Sequence, residues 1–415
     1  MLAARGRMCE DGALWGYTIM ELSRRQFFHT TTALAAGTTI PPAAGDLSGE
    51  QAGAPKIKRY KPLGKTGWKV GDISAGSGQS DPSILNHIFE CGINLIDTGY
   101  QYTGHEELIG KVLPKWREKV FVVDKWDPPL LTPTVTKSAL LEALDVSLKR
   151  LNTTYIDCMM LHSIGHPRYG GIERIQNPAI YEAWDEAKKL GKIRFTGASS
   201  HSVNLIREIE WGIDNNRFEV ILVGANFLTQ GLEPLLKKAR ARGVATIAMK
   251  TMTIYQSRLN IRALQNQNTN ARQAVIKWIL ASDLFDTMVV RMPNFDQVAE
   301  YLAVSGSTSL TPRDEEYLDV LESAISTKYC RPGCDSCYGS CPREVPIWDI
   351  LRYKMYYENY GDQKYAMERY QRIPEPNTAA ACAGCSAPCS TACRYHIPVR
   401  ERLLEAHSQL TFARP

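Results

Sequence analysis

The sequence predicts an α/β protein, a (β/α)8 TIM barrel followed by a small, mostly helical, cysteine-rich domain. Short apolar runs alternate about eight times with longer amphipathic stretches, which indicates parallel strands covered by helices on both sides. Eight such units within roughly 250 residues are typical of a closed barrel. A doubly wound sheet is the alternative, but residues 76–81 (GSGQSD) match its glycine-rich turn poorly.

The predicted elements follow one another from about residue 57 onward. A turn at 63–67 (LGKTG) between two short extended pieces predicts a hairpin. Stretch 136–151 has leucines on one helical face, and 179–192 predicts a second helix, which Gly191 caps. The eight barrel strands are predicted at 71–76, 93–97, 119–125, 155–162, 193–199, 219–224, 244–250 and 287–292.

The chain divides into three predicted parts: a leader and linker (1–55), the barrel (56–325) and the cysteine-rich domain (326–415). Within the leader, Ser-Arg-Arg-x-Phe at 23–27 resembles a twin-arginine export signal, and small residues and prolines follow it. That resemblance implies export of the folded protein to a bacterial periplasm, often with a metal cofactor already inserted. A disordered basic terminus is the alternative, and without use of the signal the protein would be cytoplasmic.

Composition argues against two classes of partner. The net charge of +5 is small for 415 residues and gives no sign of the clustered basic face that nucleic acids require. The sequence also lacks an apolar run of about 18 residues, so no membrane span is predicted. We therefore expect a small-molecule substrate.

Three consecutive predicted strands end in ionisable residues, Asp97, Lys125 and His162, and Tyr102 lies in the loop after Asp97. Taken singly, each has an ordinary structural explanation, but barrel strands end at one rim, where active sites lie. A nearby ammonium group lowers the pKa of a phenol, which can then protonate a carbonyl oxygen. The carboxylate would hold the lysine, a neutral histidine would orient the substrate, and a cofactor must supply hydride.

These stretches resemble the aldo/keto reductase family. Residues 92–110 (GINLIDTGYQYTGHEELIG) are similar to the family signature, and 147–162 and 190–201 are similar to two further stretches in family order. The resemblance covers roughly residues 57–315. It implies a carbonyl reductase, or the reverse dehydrogenase, that uses a nicotinamide cofactor.

The same resemblance implies a role for each matching residue. Tyr102 would be the proton donor, Lys125 and Asp97 its tuning pair, and His162 the substrate-orienting residue. NADP or NAD would be bound by Ser199, Ser200, Asn226, Lys250, Arg291 and Glu300. Arg291 favours NADP, because a 2′-phosphate needs a cation. Leu222 and Met249 depart from the family's amide-binding glutamine and stacking aromatic residue.

Two dense cysteine groups, at 330–342 (CRPGCDSCYGSCP) and 382–393 (CAGCSAPCSTAC), form an internal repeat. In each, the fourth cysteine precedes an apolar-Pro-apolar step that opens a helix. The spacing is close to that of bacterial two-cluster ferredoxins, whose fourth cysteine binds the other cluster. The tail thus resembles the ferredoxin-like module of some aldo/keto reductases, which implies two [4Fe-4S] clusters. Crossed ligation would place Cys330, Cys334, Cys337 and Cys393 on one cluster, and Cys382, Cys385, Cys389 and Cys341 on the other.

Disulfides and two tetrathiolate zinc sites stay open as alternatives for the eight cysteines. The tyrosine-rich stretch between the two groups (349–373) is predicted to be helical, with packing as its purpose. Two functions follow. The first is an oxidoreductase whose clusters exchange electrons with the active site or a redox partner protein, or serve structure only. The second is a non-catalytic barrel used for binding, with a disulfide- or metal-stapled tail.

Overall fold

Eight parallel strands close into a barrel in the computed structural model, which describes residues 55–412 except 80, 103, 128, 255–263 and 265–266. The strands pair in chain order, and the last pairs with the first to close the barrel. The predicted leader lies almost wholly outside the described residues. The barrel strands are β3 (Ile73–Ala75), β4 (Leu95–Asp97), β5 (Phe121–Trp126), β6 (Ile156–Leu161), β7 (Ile193–Ser200), β8 (Val220–Gly224), β9 (Ala245–Met249) and β10 (Thr287–Val290).

Each barrel strand overlaps the apolar run that predicted it, so the predicted fold class is confirmed. The predicted hairpin is also present, as β1 (Tyr60–Pro62) paired antiparallel with β2 (Lys69–Gly71). Its Leu63 packs with residues from inside the barrel, and Gly64 lies so close to Ala245 that a Cβ atom there would meet backbone at 2.5 Å. The hairpin therefore plugs the amino-terminal end of the barrel and leaves the other end for function.

Helices surround the barrel because their apolar faces pack against its strands. In α4, the Thr136 hydroxyl accepts the Ala139 N–H at 3.3 Å to cap the helix, and the predicted leucine face is buried. The helices up to residue 325 are α1 (Pro82–Glu90), α2 (His105–Gly110), α3 (Leu113–Trp116), α4 (Lys137–Arg150), α5 (Glu173–Gln176), α6 (Pro178–Lys189), α7 (Leu205–Asp214), α8 (Glu233–Ala241), α9 (Asn268–Leu280), α10 (Phe295–Leu302) and α11 (Pro312–Ile325).

The cysteine-rich segment, residues 326–415, is mostly helical. It contains α12 (Ile347–Met355), a π-helical turn (Tyr356–Tyr360), α13 (Gln363–Gln371), α14 (Pro388–Ala392) and α15 (Val399–Leu410). Helices α12 and α15 begin directly after Pro346 and Pro398, as the repeat predicts. The segment has its own buried core and forms one unit with the barrel. Among the described residues, no helix is both long and apolar enough to cross a membrane.

Candidate active site

A cavity of about 900 Å³ lies at the carboxyl ends of the barrel strands, and the cysteine-rich segment forms its roof. Its volume is typical of sites for small molecules and cofactors. On the barrel side, the lining includes all four predicted catalytic residues: Asp97, Tyr102, Lys125 and His162. The strand ends thus bring together the group of side chains that the sequence proposes for chemistry.

Asp97 and Lys125 form a buried ion pair at the ends of β4 and β5. The Lys125 ammonium donates to Asp97 Oδ1 at 2.5 Å and to the carbonyl oxygen of Thr98, and its side chain is only 1% exposed. Burial raises the pKa of the Asp97 carboxyl, and the charge of Lys125 opposes this rise. The pair is thus a fixed cation and anion in a dry site, where their field acts strongly.

Tyr102 and His162 face each other across the cavity floor. The Tyr102 hydroxyl lies 3.4 Å from His162 Nε2, and the rings meet edge to face with centroids 5.6 Å apart. The Gln101 side-chain amide donates to His162 Nδ1 at 3.0 Å, which leaves Nε2 as the protonated nitrogen of a neutral ring. Burial, with the charge of Lys125, lowers the pKa of His162 well below its usual range, so the ring is neutral.

The pKa of Tyr102 differs from the expectation that Lys125 lowers it. Burial raises it well above the usual value, and the charge of Asp97 adds to the rise. The physical reason is that the Lys125 ammonium donates its hydrogen bonds to Asp97 and to the Thr98 carbonyl oxygen. It lies 5.3 Å from the centroid of the Tyr102 ring. At neutral pH, Tyr102 is therefore a protonated phenol.

Three predicted cofactor-binding residues do not line the cavity, because their side chains bond within the protein. The Ser199 hydroxyl accepts the Ser163 N–H at 3.1 Å, and the Ser200 hydroxyl donates to the Ile164 carbonyl at 2.7 Å. The side-chain amide of Asn226 donates to the Tyr329 hydroxyl at 3.2 Å. In this arrangement they do not offer the contacts to a nicotinamide amide that the resemblance implies.

The predicted cofactor-binding cations lie closer to the cavity. Lys250 and Arg291 both line it, and Lys250 donates to the Tyr356 hydroxyl at 3.0 Å. Arg291 is half-exposed, 3.8 Å from Asp362. Glu300 instead pairs with Arg272 on α9, with a 2.5 Å contact. The donor set therefore fits the phosphates of a dinucleotide, while the residues expected at the nicotinamide do not fit it.

The roof is attached to the barrel by polar and aromatic contacts from α12. The Trp348 ring stacks on His201 with centroids 5.5 Å apart, and Arg352 donates to the His201 carbonyl at 3.2 Å. Asp349 Oδ1 lies 2.7 Å from His166 Nε2 in a buried pair. The sequence pattern does not predict these cavity-lining residues of α12. The density of tyrosines and charges in stretch 349–373 is the available signal, but such a stretch is equally typical of a packing helix.

Cysteines of the two repeats lie near one another in the segment. A second, small cavity is lined by Cys341, Cys382, Cys385 and Cys389. Burial raises the pKa of Cys382 to about 11, and the other three act on it as charged neighbours. Burial also raises the pKa of Cys330, with Cys337, Cys334 and Cys393 among its neighbours, but Cys389 acts on Cys337 as well. The crossed assignment and what the cysteines bind stay predictions.

Two further observations bear on the cysteines. All ten cysteines in the described part of the chain are free thiols, so the structure contains no disulfide among them. Across the same residues, no three His, Cys, Asp or Glu side chains are close enough to hold a single metal ion. The placement of the thiols therefore selects neither zinc nor an iron–sulfur cluster, and both stay predictions.

Residues 67–257 match the sequence model of the Aldo/keto reductase family. The uncharacterized oxidoreductase YqkF of Bacillus subtilis is 33% identical over 155 residues, which cover 34% of this chain and 46% of that protein. Methylglyoxal reductase YeaE of Escherichia coli is 26% identical, over 53% of this chain and 76% of that protein. The chain thus spans about half the length of the first relative and three-quarters of the second.

Among solved structures, the aldo-keto reductase AKR11C1 from Bacillus halodurans superposes with a TM-score of 0.49 at 24% identity. The match covers 63% of this chain and 96% of that one. The family model and the two relatives thus match part of this chain. The match to the family model ends at residue 257, well before the cysteine-rich segment.

Proposed function

We propose that this protein is an oxidoreductase that interconverts a carbonyl and an alcohol in the roofed cavity, because residues 67–257 match the aldo/keto reductase family model. The proposal depends on one observation: the four predicted catalytic side chains line the same cavity at the carboxyl ends of the strands. Tyr102 and His162 lie 3.4 Å apart, beside the buried Asp97–Lys125 pair. A substrate oxygen seated between the phenol and the imidazole would meet two hydrogen-bond donors.

The proposed proton chemistry uses the protonation states of these groups. Tyr102 keeps its proton at neutral pH and can pass it to a carbonyl oxygen as negative charge develops there. Neutral His162 donates its Nε2 hydrogen to the same oxygen and orients it. The Lys125 charge stabilises the phenolate left on Tyr102, since a fixed cation in a water-poor site acts strongly. The roof over the cavity reduces competition from water.

NADP is the proposed source of reducing equivalents. A bound nicotinamide supplies a hydride to the carbonyl carbon, which no side chain can do. Arg291 and Lys250 would contact its phosphates, since they are the predicted cofactor-binding cations that line the cavity. Because Ser199, Ser200 and Asn226 bond elsewhere, recognition of the nicotinamide end would differ from the family pattern.

The experiment is a panel of aldehydes and ketones offered anaerobically with deuterated NADPH or NADH. We expect oxidation of the cofactor and one deuterium on the carbinol carbon of the product. Turnover without deuterium in the product would contradict direct hydride transfer. A protein that binds neither cofactor and reduces no carbonyl would favour the second candidate, a barrel used for binding. That candidate is supported by one observation: the cofactor-binding residues already have protein partners.

We also propose that the two cysteine groups hold [4Fe-4S] clusters. The proposal is supported by eight free thiols, by the shared small cavity of Cys341 with Cys382, Cys385 and Cys389, and by Cys393 as a neighbour of Cys330. Each cluster would supply one-electron chemistry and could connect the cavity to a redox partner protein. Both sets contain one cysteine from the opposite repeat, so each cluster would also link the two halves of the segment.

The test is iron and acid-labile sulfide counted per chain after anaerobic purification. Cys341→Ser should empty the set that contains Cys382 and spare the set that contains Cys330. Cys91→Ser, which changes a buried thiol in the barrel, is the matched control and should lose no iron. Loss of iron from the Cys330 set in the Cys341 variant would overturn the crossed assignment. An iron-free, colourless wild type would overturn the clusters.

Export by the twin-arginine route is a further proposal. It rests on the paired arginines at 24 and 25 with Phe27, and it agrees with a protein that folds around metal before export. The test is the location of the protein in fractionated bacterial cells. Replacement of both arginines by lysine should retain it in the cytoplasm. Equal amounts of the wild type and the variant in the periplasm would contradict the proposal.

A further inference from the structure

We propose that Tyr356, paired with Lys250, is the proton reservoir of the cavity and returns a proton to Tyr102 after each turnover. The inference deepens the proposed function and rests on it for the catalytic cycle. Tyr102 and Tyr356 line the same cavity from opposite sides, one from a barrel loop and the other from the roof. Tyr356 acts through Tyr102, so it is a positioning residue and not a catalytic one.

The geometry of the pair is the first support. Lys250 Nζ donates to the Tyr356 hydroxyl at 3.0 Å and lies 5.0 Å from the centroid of its ring. By contrast, Lys125 binds a carboxylate and a carbonyl oxygen near Tyr102. The direct contact between a lysine ammonium and a phenol, expected for Tyr102, is therefore made across the junction of barrel and roof.

Two local departures from regular backbone meet at this bond. Lys250 follows β9 directly and has a φ of 59°, a left-handed conformation that non-glycine residues adopt uncommonly. Tyr356 is the first residue of the π-helical turn that follows α12. Such turns are rare in proteins, and those that occur often lie at functional sites. A strained backbone conformation persists only where the surrounding structure fixes it. Here both irregular segments lie at the hydrogen bond between Lys250 and Tyr356.

The charges around the phenol agree with this role. Burial by itself raises the pKa of Tyr356, but the positive charges of Lys250 and Arg352 outweigh it and lower the pKa to about 8. Two other phenols of the roof, Tyr360 and Tyr365, pack edge to face with centroids 5.6 and 5.7 Å from its ring. Burial raises the pKa of both, so they stay neutral.

Two further charged groups lie near Tyr356. Arg369 lines the cavity and its charge acts on Tyr365, which packs on Tyr356. The backbone N–H of Asp362 bonds the Tyr356 carbonyl at 3.2 Å, while the Asp362 carboxylate lies beside Arg291. The environments of Tyr102 and Tyr356 thus push their pKa values apart, one up and one down. When the environments of two titratable groups shift their pKa values in opposite directions, one group commonly acts as the acid and the other as the base.

The proton balance of the proposed step is simple. Tyr102 gives its proton to the carbonyl oxygen as hydride adds to the carbonyl carbon, and a phenolate remains on Tyr102. That phenolate, whose conjugate acid has the higher pKa, takes the proton of Tyr356. The new phenolate on Tyr356 is held by Lys250 and Arg352 until it regains a proton from water. No electrons move in the return step.

The first test needs no substrate: an ultraviolet difference titration of tyrosinate in the intact protein. We expect one tyrosine with an apparent pKa of about 8. Tyr356→Phe should remove this transition, and Lys250→Gln should raise it by more than one pH unit, because the nearest cation is lost. Tyr365→Phe, a change at another phenol that lines the cavity, is the matched control and should leave the transition in place. Persistence of the transition in Tyr356→Phe, or its absence from the wild type, would overturn the proposal.

The second test is the pH dependence of turnover for any carbonyl that the protein reduces. The wild-type rate should fall above about pH 8, as Tyr356 loses its proton, and Tyr356→Phe should lack this inflection and be about tenfold slower below it. An unchanged inflection in Tyr356→Phe would overturn the reservoir. The two proposals can fail separately: a tyrosinate without turnover contradicts the proposed function, and turnover without the tyrosinate contradicts the reservoir.

Discussion

Two lysines of the cavity lie near a tyrosine, one on the barrel floor and one at the junction of barrel and roof, and the outcomes are opposite. On the floor, Lys125 binds Asp97, and burial keeps the pKa of Tyr102 high. At the junction, Lys250 binds the Tyr356 hydroxyl itself, and the pKa of that phenol falls. The difference teaches that the effect of a lysine on a nearby phenol depends on which oxygen the ammonium binds.

The largest expected effect is on the floor. Lys125→Met leaves the Asp97 carboxylate buried without its partner, which should cost about 3–5 kcal/mol in the free energy of unfolding. The measurement is urea unfolding. Lys115→Met is the matched control, because the Lys115–Glu90 pair is more than half exposed and should contribute less than about 1 kcal/mol. Equal losses in the two variants would show that the Asp97–Lys125 pair is not buried as described.

Low pH should lower the stability of the folded protein through the buried His105 on the barrel side of the cavity. Burial lowers the pKa of His105 from 6.5 to about 4. Below pH 6.5 the unfolded chain binds a proton that the folded chain excludes, so stability is complete above pH 6.5 and falls as the pH drops. The difference corresponds to about 3 kcal/mol at pH 4. His105→Gln should flatten this slope in unfolding experiments. An unchanged slope in His105→Gln would contradict the buried, neutral state.

A substitution at Arg291 tests the charged contact between the barrel and the cysteine-rich segment. Its contact with Asp362 is half-exposed and 3.8 Å long, so Arg291→Ala should change stability by less than about 1 kcal/mol. If the guanidinium binds a 2′-phosphate, the same change should weaken NADPH binding about tenfold and NADH binding much less. Fluorescence titration with both cofactors measures this. Equal weakening for NADPH and NADH would place Arg291 away from the 2′-phosphate.

A small effect on stability is also expected at the junction of barrel and roof. Lys250→Met removes a charge that burial already disfavours, and Tyr356 can then remain neutral, so the free energy of unfolding should change by about 1 kcal/mol. The informative quantity is the difference between Lys250→Met and Lys125→Met in the free energy of unfolding. A loss for Lys250→Met as large as that for Lys125→Met would mean that the two lysines are equally structural.

Most of the barrel could be predicted from the sequence, because buried parallel strands and amphipathic helices leave periodic patterns. The convergence of Asp97, Lys125 and His162 was predictable for the same reason, since each ends a strand. The roof was not predictable. Trp348 and Tyr356 meet the barrel through contacts more than a hundred residues distant in the chain, and no local pattern records them.

The environment of each tyrosine also escaped prediction. The sequence placed Lys125 near Tyr102 correctly, but the sign of the pKa change depends on which oxygen the ammonium binds. The contact of Lys250 with Tyr356 could not be predicted from the strand end, because its partner lies in the cysteine-rich segment. The helices that follow each cysteine repeat were predictable, because each opens directly after a proline. What the groups bind stays a prediction.

The most direct test of the account is the rate of reduction of one accepted carbonyl by Tyr102→Phe. General acid catalysis contributes about a hundredfold to ten-thousandfold, so the variant should lose at least a hundredfold in kcat while it keeps its fold. Tyr60→Phe, which removes a hydroxyl bonded to the Gly92 carbonyl outside the cavity, should keep the wild-type rate. A Tyr102→Phe protein that reduces the carbonyl at the wild-type rate would contradict the claim that this phenol donates the proton.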